Sequence, residues 1–208
     1  VSALLETKSS GKGQVVDASM VDGSALLMTM IYNIRGMGFW KDSLGSNFVD
    51  GGAHFYDTYE CKDSKFISIA SIEPKFYQLL REITPLEDPI FDDQLQRESW
   101  PEKKKALKAI FLKKTRQEWC ELMEGNDICF APVLNMAEAP EHPHNKARDT
   151  VIELEGIVQP APAPRFSRTT PEAHPAPAYV GEHTEEVLKS IGMQDSDIED
   201  LKASGEVA

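Results

Sequence analysis

The sequence predicts a mixed α+β fold in which a small sheet packs among helices. Two runs of β-prone residues, 55–61 and 66–71, flank the polar turn 62–65, which is the pattern of a β-hairpin. Apolar residues at helical spacing lie on both sides of this hairpin. Hydrophobic residues make up 41% and charged residues 27% of the 208 residues. This balance favours a globular core over disorder.

The N-terminal part of the chain predicts helices around one short strand. Residues 1–7 have the pattern of a helix end, and residues 14–19 predict a short buried strand. From Met20, apolar residues at helical spacing predict a helix that ends at Gly36. A lone strand needs neighbours with which to pair, and the first residue is Val1 rather than Met. We therefore expect this sequence to be a fragment of a longer protein.

Capping signals predict the helices that follow the hairpin. Pro74 suits the first turn of a helix over 74–83 and places Glu73 at or next to its N-cap. Two capping boxes, Ser99…Glu102 and Thr115…Glu118, predict two more helices. Two β-prone runs, 128–134 and 151–154, predict strands.

Proline dominates the next part of the chain. Six prolines within 159–179 exclude a regular helix or a central strand there and predict an extended crossing segment or a linker. Beyond it, one helix is predicted over 184–192. The capping box Ser196…Glu199 predicts another helix that ends near Gly205.

The formal net charge of −12 argues against nucleic acids and anionic membranes as partners, because both are negatively charged. The longest apolar run, 25–31, is too short to cross a bilayer. No secretory signal is recognisable, and the tail 206–208 is not of the peroxisomal SKL type. We expect a cytosol-like compartment.

The cysteine and histidine patterns predict neither disulfides nor a metal site. Cys61, Cys120 and Cys129 are odd in number and widely spaced, which favours reduced, mostly structural thiols. His142 and His144 lack the i, i+4 spacing of a helical metal pair and have no recognisable carboxylate or cysteine partner. The sequence contains no P-loop, GxGxxG motif or nucleophile elbow.

Polar and aromatic residues that could carry chemistry are concentrated within 47–77. Glu73 would place a carboxylate at a helix N-terminus, where free N–H groups stabilise an anion, although capping alone is the simpler interpretation. A single histidine, such as His54, is more often packed or superficial than a base. Strand tyrosines, such as Tyr56 and Tyr59, are more often packing residues than catalytic ones.

A lysine-rich stretch, 103–116, surrounds an apolar row that includes Leu107 and Phe111. A solvated helix face is the simpler interpretation of this pattern. Contact with the phosphates of a ligand is the alternative.

Six collinear segments carry a resemblance to a known family. They span nearly the whole chain and are 11–23, 50–60, 72–77, 127–134, 161–167 and 181–188. Their order and intervals resemble the α-methylacyl-CoA racemases, within the family III CoA-transferase (CaiB/BaiF) superfamily. Asp-Gly-Gly-Ala-x-Phe-Tyr from Asp50 and Ile-Glu-Pro-x-Phe-Tyr from Ile72 favour the racemases over the transferases.

The resemblance implies an activity on acyl-CoA thioesters. The racemases interconvert R and S 2-methylacyl-CoA by removing the α-proton and returning one, which requires two acid/base groups and stabilisation of an enolate-like oxygen. In the family, these groups are a His and an Asp that would lie upstream of this sequence, so this chain alone is expected to be inactive. The alternatives are a family III CoA-transferase acting through an aspartyl thioester, or a non-catalytic dimerisation or acyl-CoA-binding fragment.

The resemblance also implies roles for residues in this chain. Glu73 matches the glutamate that supports the catalytic His. The residues implied to bind substrate are Tyr56 near the thioester, Val49 and Ile72 on the acyl side, and Asp50. His54 stands where the racemases commonly have Pro.

The implied architecture is α/β, an interlocked homodimer in which a Rossmann-like large domain of one subunit meets the small domain of the other. In this architecture, residues 1–44 would form the end of the large domain and a crossing helix, and residues 45–155 would form the small α+β domain. Residues 156–180 would be a Pro-rich return linker, and residues 181–208 would be C-terminal helices that rejoin the large domain. CoA is part of the substrate, and no metal or other cofactor is implied. The compartment would be the cytoplasm in a bacterium, with mitochondria or peroxisomes possible in a eukaryote.

Overall fold

The computed structural model describes residues 1–171 and 178–207, and the chain forms two compact units, 1–133 and 134–208. The domain boundaries expected for the complete protein stay predictions. Within the described residues, no helix is both long enough and apolar enough to cross a membrane.

A three-stranded antiparallel sheet lies at the centre of the first unit. Its strands follow the order β1 (Tyr56–Glu60), β2 (Phe66–Ala70) and β3 (Phe130–Val133). In this register, Tyr59 pairs with Ile67, and Ile67 pairs with Pro132. The predicted hairpin is confirmed to within one residue at each strand end.

The first unit also contains six α-helices. They are α1 (Ser2–Ser10), α2 (Met20–Leu27), α3 (Thr29–Gly36), α4 (Pro74–Ile83), α5 (Trp100–Phe111) and α6 (Arg116–Met123), with short 3₁₀ helices at Pro89–Phe91 and Arg97–Ser99. The predicted bounds of α4 are confirmed, and so is the capping box of α6, in which Thr115 and Glu118 each bond to the other's backbone. The helix predicted from Met20 is interrupted at Met28 and ends at Gly36.

The core of the first unit is aromatic. Phe111 packs between Tyr59 and Trp119, with ring centroids 5.0 and 5.1 Å apart. Trp119 is 1% exposed, and its indole N–H donates to the Phe111 carbonyl at 2.9 Å. Large rings at this spacing contribute edge-to-face attraction beyond the apolar area that they bury.

Two predictions for the first unit are wrong. Residues 14–19 form no strand, and Val15 is 95% exposed. An isolated extended segment has no partner for its backbone N–H and C=O groups, so it is not held as a strand. The Ser99…Glu102 box is absent because Ser99 has helical backbone angles, and its hydroxyl donates back to the Gln96 carbonyl at 2.9 Å.

The second unit combines short helices with a two-stranded antiparallel sheet. Its elements are α7 (Glu138–Glu141), α8 (Pro143–Ala147), β4 (Val151–Leu154), β5 (Ile157–Pro160), α9 (Thr184–Ser190) and α10 (Asp195–Ser204). The strand predicted over 151–154 and the left-handed Gly205 that ends α10 are confirmed. The Ser196 box is wrong, because α10 begins at Asp195 and its N-cap is Gln194, two residues before the predicted cap. Part of the Pro-rich prediction, 172–177, lies outside the described residues.

Candidate functional site

The Asp-Gly-Gly loop, residues 46–53, connects the N-terminal helices to β1 and is organised by the carboxylate of Asp50. Its Oδ1 accepts from the backbone N–H of Asn47 at 2.8 Å and of Gly52 at 3.1 Å, and its Oδ2 accepts from the Asn47 side-chain amide at 2.8 Å. Burial alone would raise the pKa of Asp50, but the hydrogen bonds from Asn47, Gly52 and Ser46 outweigh it and lower that pKa. The carboxylate therefore remains ionised and fixes the loop's shape.

Two buried neighbours hold the loop closed on itself. Asn47 is 0% exposed, and its side chain accepts from the Lys41 N–H at 2.8 Å and donates to the Lys41 carbonyl at 3.0 Å. Gly52 lies so close to the chain at Asn47 that a Cβ there would be 2.6 Å from the Asn47 carbonyl oxygen. A residue without a side chain is required at this contact.

His54 ends the loop as a buried, neutral histidine. The hydroxyl of Tyr77 donates to the Phe91 carbonyl at 3.1 Å, so at 2.8 Å it accepts the Nε2–H of His54. Nδ1 has no hydrogen-bond partner among the described residues. Burial, followed by the positive charges of Lys103 and Lys104, lowers the pKa of His54 to about 3. The interpretation of His54 as a packed residue is thus confirmed.

This burial predicts an acid-sensitive stability. Between pH 6.5 and about 3, the unfolded state protonates this imidazole while the folded state keeps it neutral. The unfolded state then binds more protons, so the free energy of unfolding falls as the pH falls, by up to about 1.4 kcal/mol per pH unit. Urea unfolding of the complete protein at several pH values from about 6.5 to about 5.5, above the range where most carboxylates titrate, measures this slope.

Two variants test the assignment of this slope. His54→Leu is expected to flatten it, whereas His144→Gln, at an exposed histidine, is expected to leave it unchanged. An unchanged slope in His54→Leu would show that other groups cause the acid sensitivity.

Glu73 is the N-cap of α4, but its side chain makes no capping hydrogen bond. Its backbone is extended, its side chain is exposed, and Pro74 begins the helix. The simpler interpretation from the sequence was that the carboxylate only caps α4. In the structure the carboxylate makes no such capping bond. The carboxylate remains available at the N-terminal, partially positive end of the helix dipole.

An apolar cavity of about 470 Å³ lies beside this segment. Its walls are Phe39, Phe48, Phe55, Ile72, Leu95, Gln96, Arg97, Glu98 and Trp100. The backbone at Ile72, which precedes Glu73, is fixed by Gln94, whose side-chain amide donates to the carbonyls of Ser71 and Ile72 at 2.9 and 2.8 Å. A concave, mostly apolar space with few polar groups is the usual form of a ligand site.

The negative charge of Glu73 also acts on the thiol of Cys129. Burial raises the pKa of its thiol, and the negative charges of Glu73 and Asp127 raise it further, while Lys75 opposes them. Cys129 is exposed, whereas Cys61 and Cys120 are buried, and all three thiols are free. The thiols were predicted to be reduced and mostly structural, and the burial of Cys61 and Cys120 is consistent with a structural role for these two.

The lysine-rich stretch is not a uniformly solvated face. Lys103 is fully buried, its ammonium donates to the Asp93 carbonyl, and burial lowers its pKa against the opposing charge of Asp93. Its position shares the buried face of α5 with Trp100 and Leu107. The burial of Lys103 could have been predicted from its spacing to Trp100 and Leu107, since residues three and four apart lie on one side of a helix.

Of the predicted site residues, Ile72 lines the apolar cavity, whereas the walls of that cavity do not include Val49, Asp50, Tyr56 or Glu73. Val49 and Asp50 lie half-buried in the Asp-Gly-Gly loop, Tyr56 is half-buried at the start of β1, and Ile72 and Glu73 follow the end of β2. Their roles toward a substrate stay predictions. Residues that support these segments but were missed in the sequence are Asn47, Gln94, Arg97 and Lys104.

No metal centre is formed by the residues that the structure describes, since no three His, Cys, Asp or Glu side chains converge. His142 instead caps α8, because its Nδ1 accepts the backbone N–H of His144 at 3.3 Å.

Comparison with known families decides the relationship. The profile of CoA-transferase family III matches residues 1–184, which is most of the chain. The chain belongs to CoA-transferase family III. The resemblance drawn from the six sequence segments is confirmed at this level.

Curated relatives of this family III chain include two racemases. It is 44% identical over 201 residues to the α-methylacyl-CoA racemase of Mus musculus, covering 95% of this chain and 52% of that protein. It is 38% identical to the α-methylacyl-CoA racemase of Homo sapiens, covering 98% of this chain and 54% of that protein. An (R)-2-hydroxy-4-methylpentanoate CoA-transferase of Clostridioides difficile is 26% identical over 98% of this chain and 53% of its own length. The chain thus spans about half the length of these relatives.

Solved structures show the same fold. A CaiB/BaiF family protein from Brucella suis superimposes with a TM-score of 0.72 at 18% identity, covering 91% of this chain and 51% of that one. A hypothetical protein from Mycobacterium tuberculosis superimposes with a TM-score of 0.66 at 20% identity, covering 89% and 50%. The predicted mixed α/β fold of the CaiB/BaiF type is confirmed for this family III chain.

Proposed function

We propose that the complete protein is a 2-methylacyl-CoA racemase and that this chain supplies the small-domain side of its active site. The observation that carries the proposal is the pairing of Glu73, an N-cap carboxylate without a capping bond, with the apolar cavity that its neighbour Ile72 lines. The higher identity to two proteins named racemases, 44% and 38%, than to the named CoA-transferase, 26%, supports the choice of reaction.

The reaction requires an acid/base group on each face of the α-carbon. By resemblance, a His and an Asp outside these 208 residues fill these roles. Glu73 then acts as the charge partner of that His: its carboxylate orients the imidazole and favours the protonated form that returns the proton. It touches the imidazole and not the substrate, so it is a positioning residue.

The remaining residues place the acyl group. Ile72 forms part of the apolar wall of the cavity, on which the acyl chain lies near the reacting carbon. By resemblance, Val49 also faces the acyl chain and Tyr56 lies near the thioester. Excluding water from this surface strengthens the electrostatic stabilisation of the enolate-like oxygen. Asp50 contributes through the loop whose shape it fixes.

The proposal includes the assembly and the ligands. The active site lies between two subunits of a homodimer, CoA is the handle of the substrate, and the chemistry uses no further cofactor. The protein acts in a cytoplasmic, mitochondrial or peroxisomal compartment, according to its organism.

Two other functions remain as alternatives. A family III CoA-transferase would move CoA between carboxylates through an aspartyl thioester, and the CoA-transferase relative, though less similar, favours it. A non-catalytic acyl-CoA-binding or dimerisation module would need this chain to fold and bind by itself.

Deuterium incorporation separates these functions. The complete protein is incubated with one epimer of a 2-methylacyl-CoA in D₂O without an acceptor acid, and the α-carbon is followed by NMR. We expect incorporation of deuterium together with formation of the other epimer. CoA transfer that depends on an added acid, with no α-exchange, would establish the transferase instead.

A further inference from the structure

Hydrogen bonds within the Asp-Gly-Gly loop determine its conformation, whereas a contact from another element holds its turn in place. The hydrogen bonds to Asp50 join atoms of the loop itself, and they would survive if the whole loop moved as a body. Adjacent glycines, Gly51 and Gly52, give its backbone more freedom than other residues would. Phe48 and Ala53 of the loop pack against the core, but Gly51, between them, has no side chain with which to do so, and its position needs another contact.

Lys104 provides such a contact. Its ammonium donates to the Gly51 carbonyl at 2.5 Å and pairs with Asp57 Oδ2 at 2.5 Å. Asp57 lies on β1, so a single cation joins the turn of the loop to the strand that follows it. The second oxygen of Asp57 accepts from the Thr58 N–H at 2.8 Å, which holds the carboxylate in place.

The lysine itself stands on a rigid support. Lys104 belongs to α5, which buries Trp100, Leu107 and Phe111 in the core at 3% exposure or less. The side chains of Lys104 and Asp57 are 21% and 24% exposed. A pair this far from solvent is screened less by water and salt than a surface pair, and loss of one partner leaves the other charge poorly solvated.

A second cation, Arg97, contacts the chain before the Asp-Gly-Gly loop, at Phe39. The guanidinium of Arg97 donates to the Phe39 carbonyl and lies over the Trp100 ring at 5.5 Å from its centroid. Arg97 and Lys104 therefore hold the segment that leads into β1 at two points. Of these two, Lys104 contacts the loop that carries Val49 and Asp50.

We infer that Lys104 is a positioning residue of the active site, which holds the Asp-Gly-Gly loop against β1 so that the loop and Tyr56 keep a fixed position relative to Ile72 and Glu73. The inference rests on the proposed function for its effect on catalysis. The interpretation of this lysine as part of a solvated face does not account for its two partners.

The test compares three variants of the complete protein with the wild type. Lys104→Met keeps the aliphatic stem and removes the charge, Lys104→Arg keeps a cation that can reach both oxygens, and Lys105→Met is the matched control at the exposed neighbouring position. Each is assayed for kcat and KM of α-deuterium incorporation, for hydrogen exchange of the loop amides, and for thermal unfolding.

For Lys104→Met we expect a loss in kcat of roughly tenfold to a hundredfold, because a displacement of about 1 Å at a reacting centre has effects of that size. Loop amides should exchange faster, Lys104→Arg should recover part of kcat, and Lys105→Met should match the wild type. Wild-type kcat in folded Lys104→Met would overturn the inference, whether or not the melting temperature fell.

The two proposals fail in distinguishable ways. If the wild-type protein shows no α-exchange, the proposed function is wrong, and the hold of Lys104 on the loop is then judged by amide exchange alone. Unchanged loop exchange in Lys104→Met would overturn that hold in any case.

Discussion

Gly52→Ala is expected to displace the Asp-Gly-Gly loop and to lower both stability and turnover. A Cβ at this position would lie 2.6 Å from the Asn47 carbonyl oxygen and 2.8 Å from both the Asn47 nitrogen and the Ser46 carbonyl carbon. All three are backbone atoms, so no side chain can rotate away to relieve the overlap. Overpacking of this kind costs about 1–3 kcal/mol, and a displaced loop would lower kcat roughly a hundredfold. Urea unfolding and α-deuterium incorporation of the complete protein measure the two effects.

Gly51→Ala is the graded control for this expectation. Gly51 has a left-handed φ of +84°, and a Cβ there would meet Asp57 Oδ1 at an ordinary 3.9 Å. Alanine at Gly51 therefore meets backbone strain of about 1–2 kcal/mol without steric overlap. If Gly52→Ala were no more harmful than Gly51→Ala, the close approach at Asn47 would not be the constraint on this loop.

Glu73→Gln is expected to impair turnover while leaving the fold intact. Glutamine preserves the shape of the side chain and removes its charge, and no capping hydrogen bond is lost. Stability should therefore change by about 1 kcal/mol or less. Turnover of the complete protein should fall roughly tenfold or more, about 1.4 kcal/mol in the barrier, because the catalytic His loses its anionic partner.

The pH profile distinguishes a charge partner from a structural residue. An adjacent anion raises the pKa of an imidazole, so removal of that anion moves the limb of the profile set by this His to lower pH. Glu82→Gln changes an exposed glutamate on the same helix, α4, and should leave both rate and profile unchanged. Equal rates for Glu73→Gln and wild type at every pH would remove Glu73 from the site.

Much of the first unit could be predicted from local signals. Helix α4 has Pro74 at its first turn and a strongly amphipathic pattern, and the β1–β2 hairpin has two runs joined by a short polar turn. Such signals depend on residues within a few positions of one another. The failures at 14–19 and at Ser99 share one cause, because a strand needs a partner and a cap needs a non-helical backbone, and neither is fixed by nearby sequence.

The site was predictable only in part for a similar reason. Glu73 and Ile72 were found because a family motif includes them, and the structure adds that Glu73 makes no capping bond. The contacts of Lys104 with Gly51 and of Arg97 with Phe39 join residues 53 and 58 positions apart. No periodicity within one helix or strand contains such a pairing, and only the folded chain reveals it.

At position 54, two neighbouring hydrogen bonds do not depend on the histidine side chain. In the racemases that this chain resembles, Pro is common at this position, whereas this chain has His54. The backbone carbonyl of His54 accepts the Tyr59 hydroxyl at 2.5 Å, and a proline would offer the same carbonyl. Tyr77 keeps its bond to the Phe91 carbonyl whichever residue is present. Replacement of His54 by proline would therefore preserve these two bonds, while it would remove ring contacts with Phe55, Tyr77 and Phe91 and a group that titrates in acid.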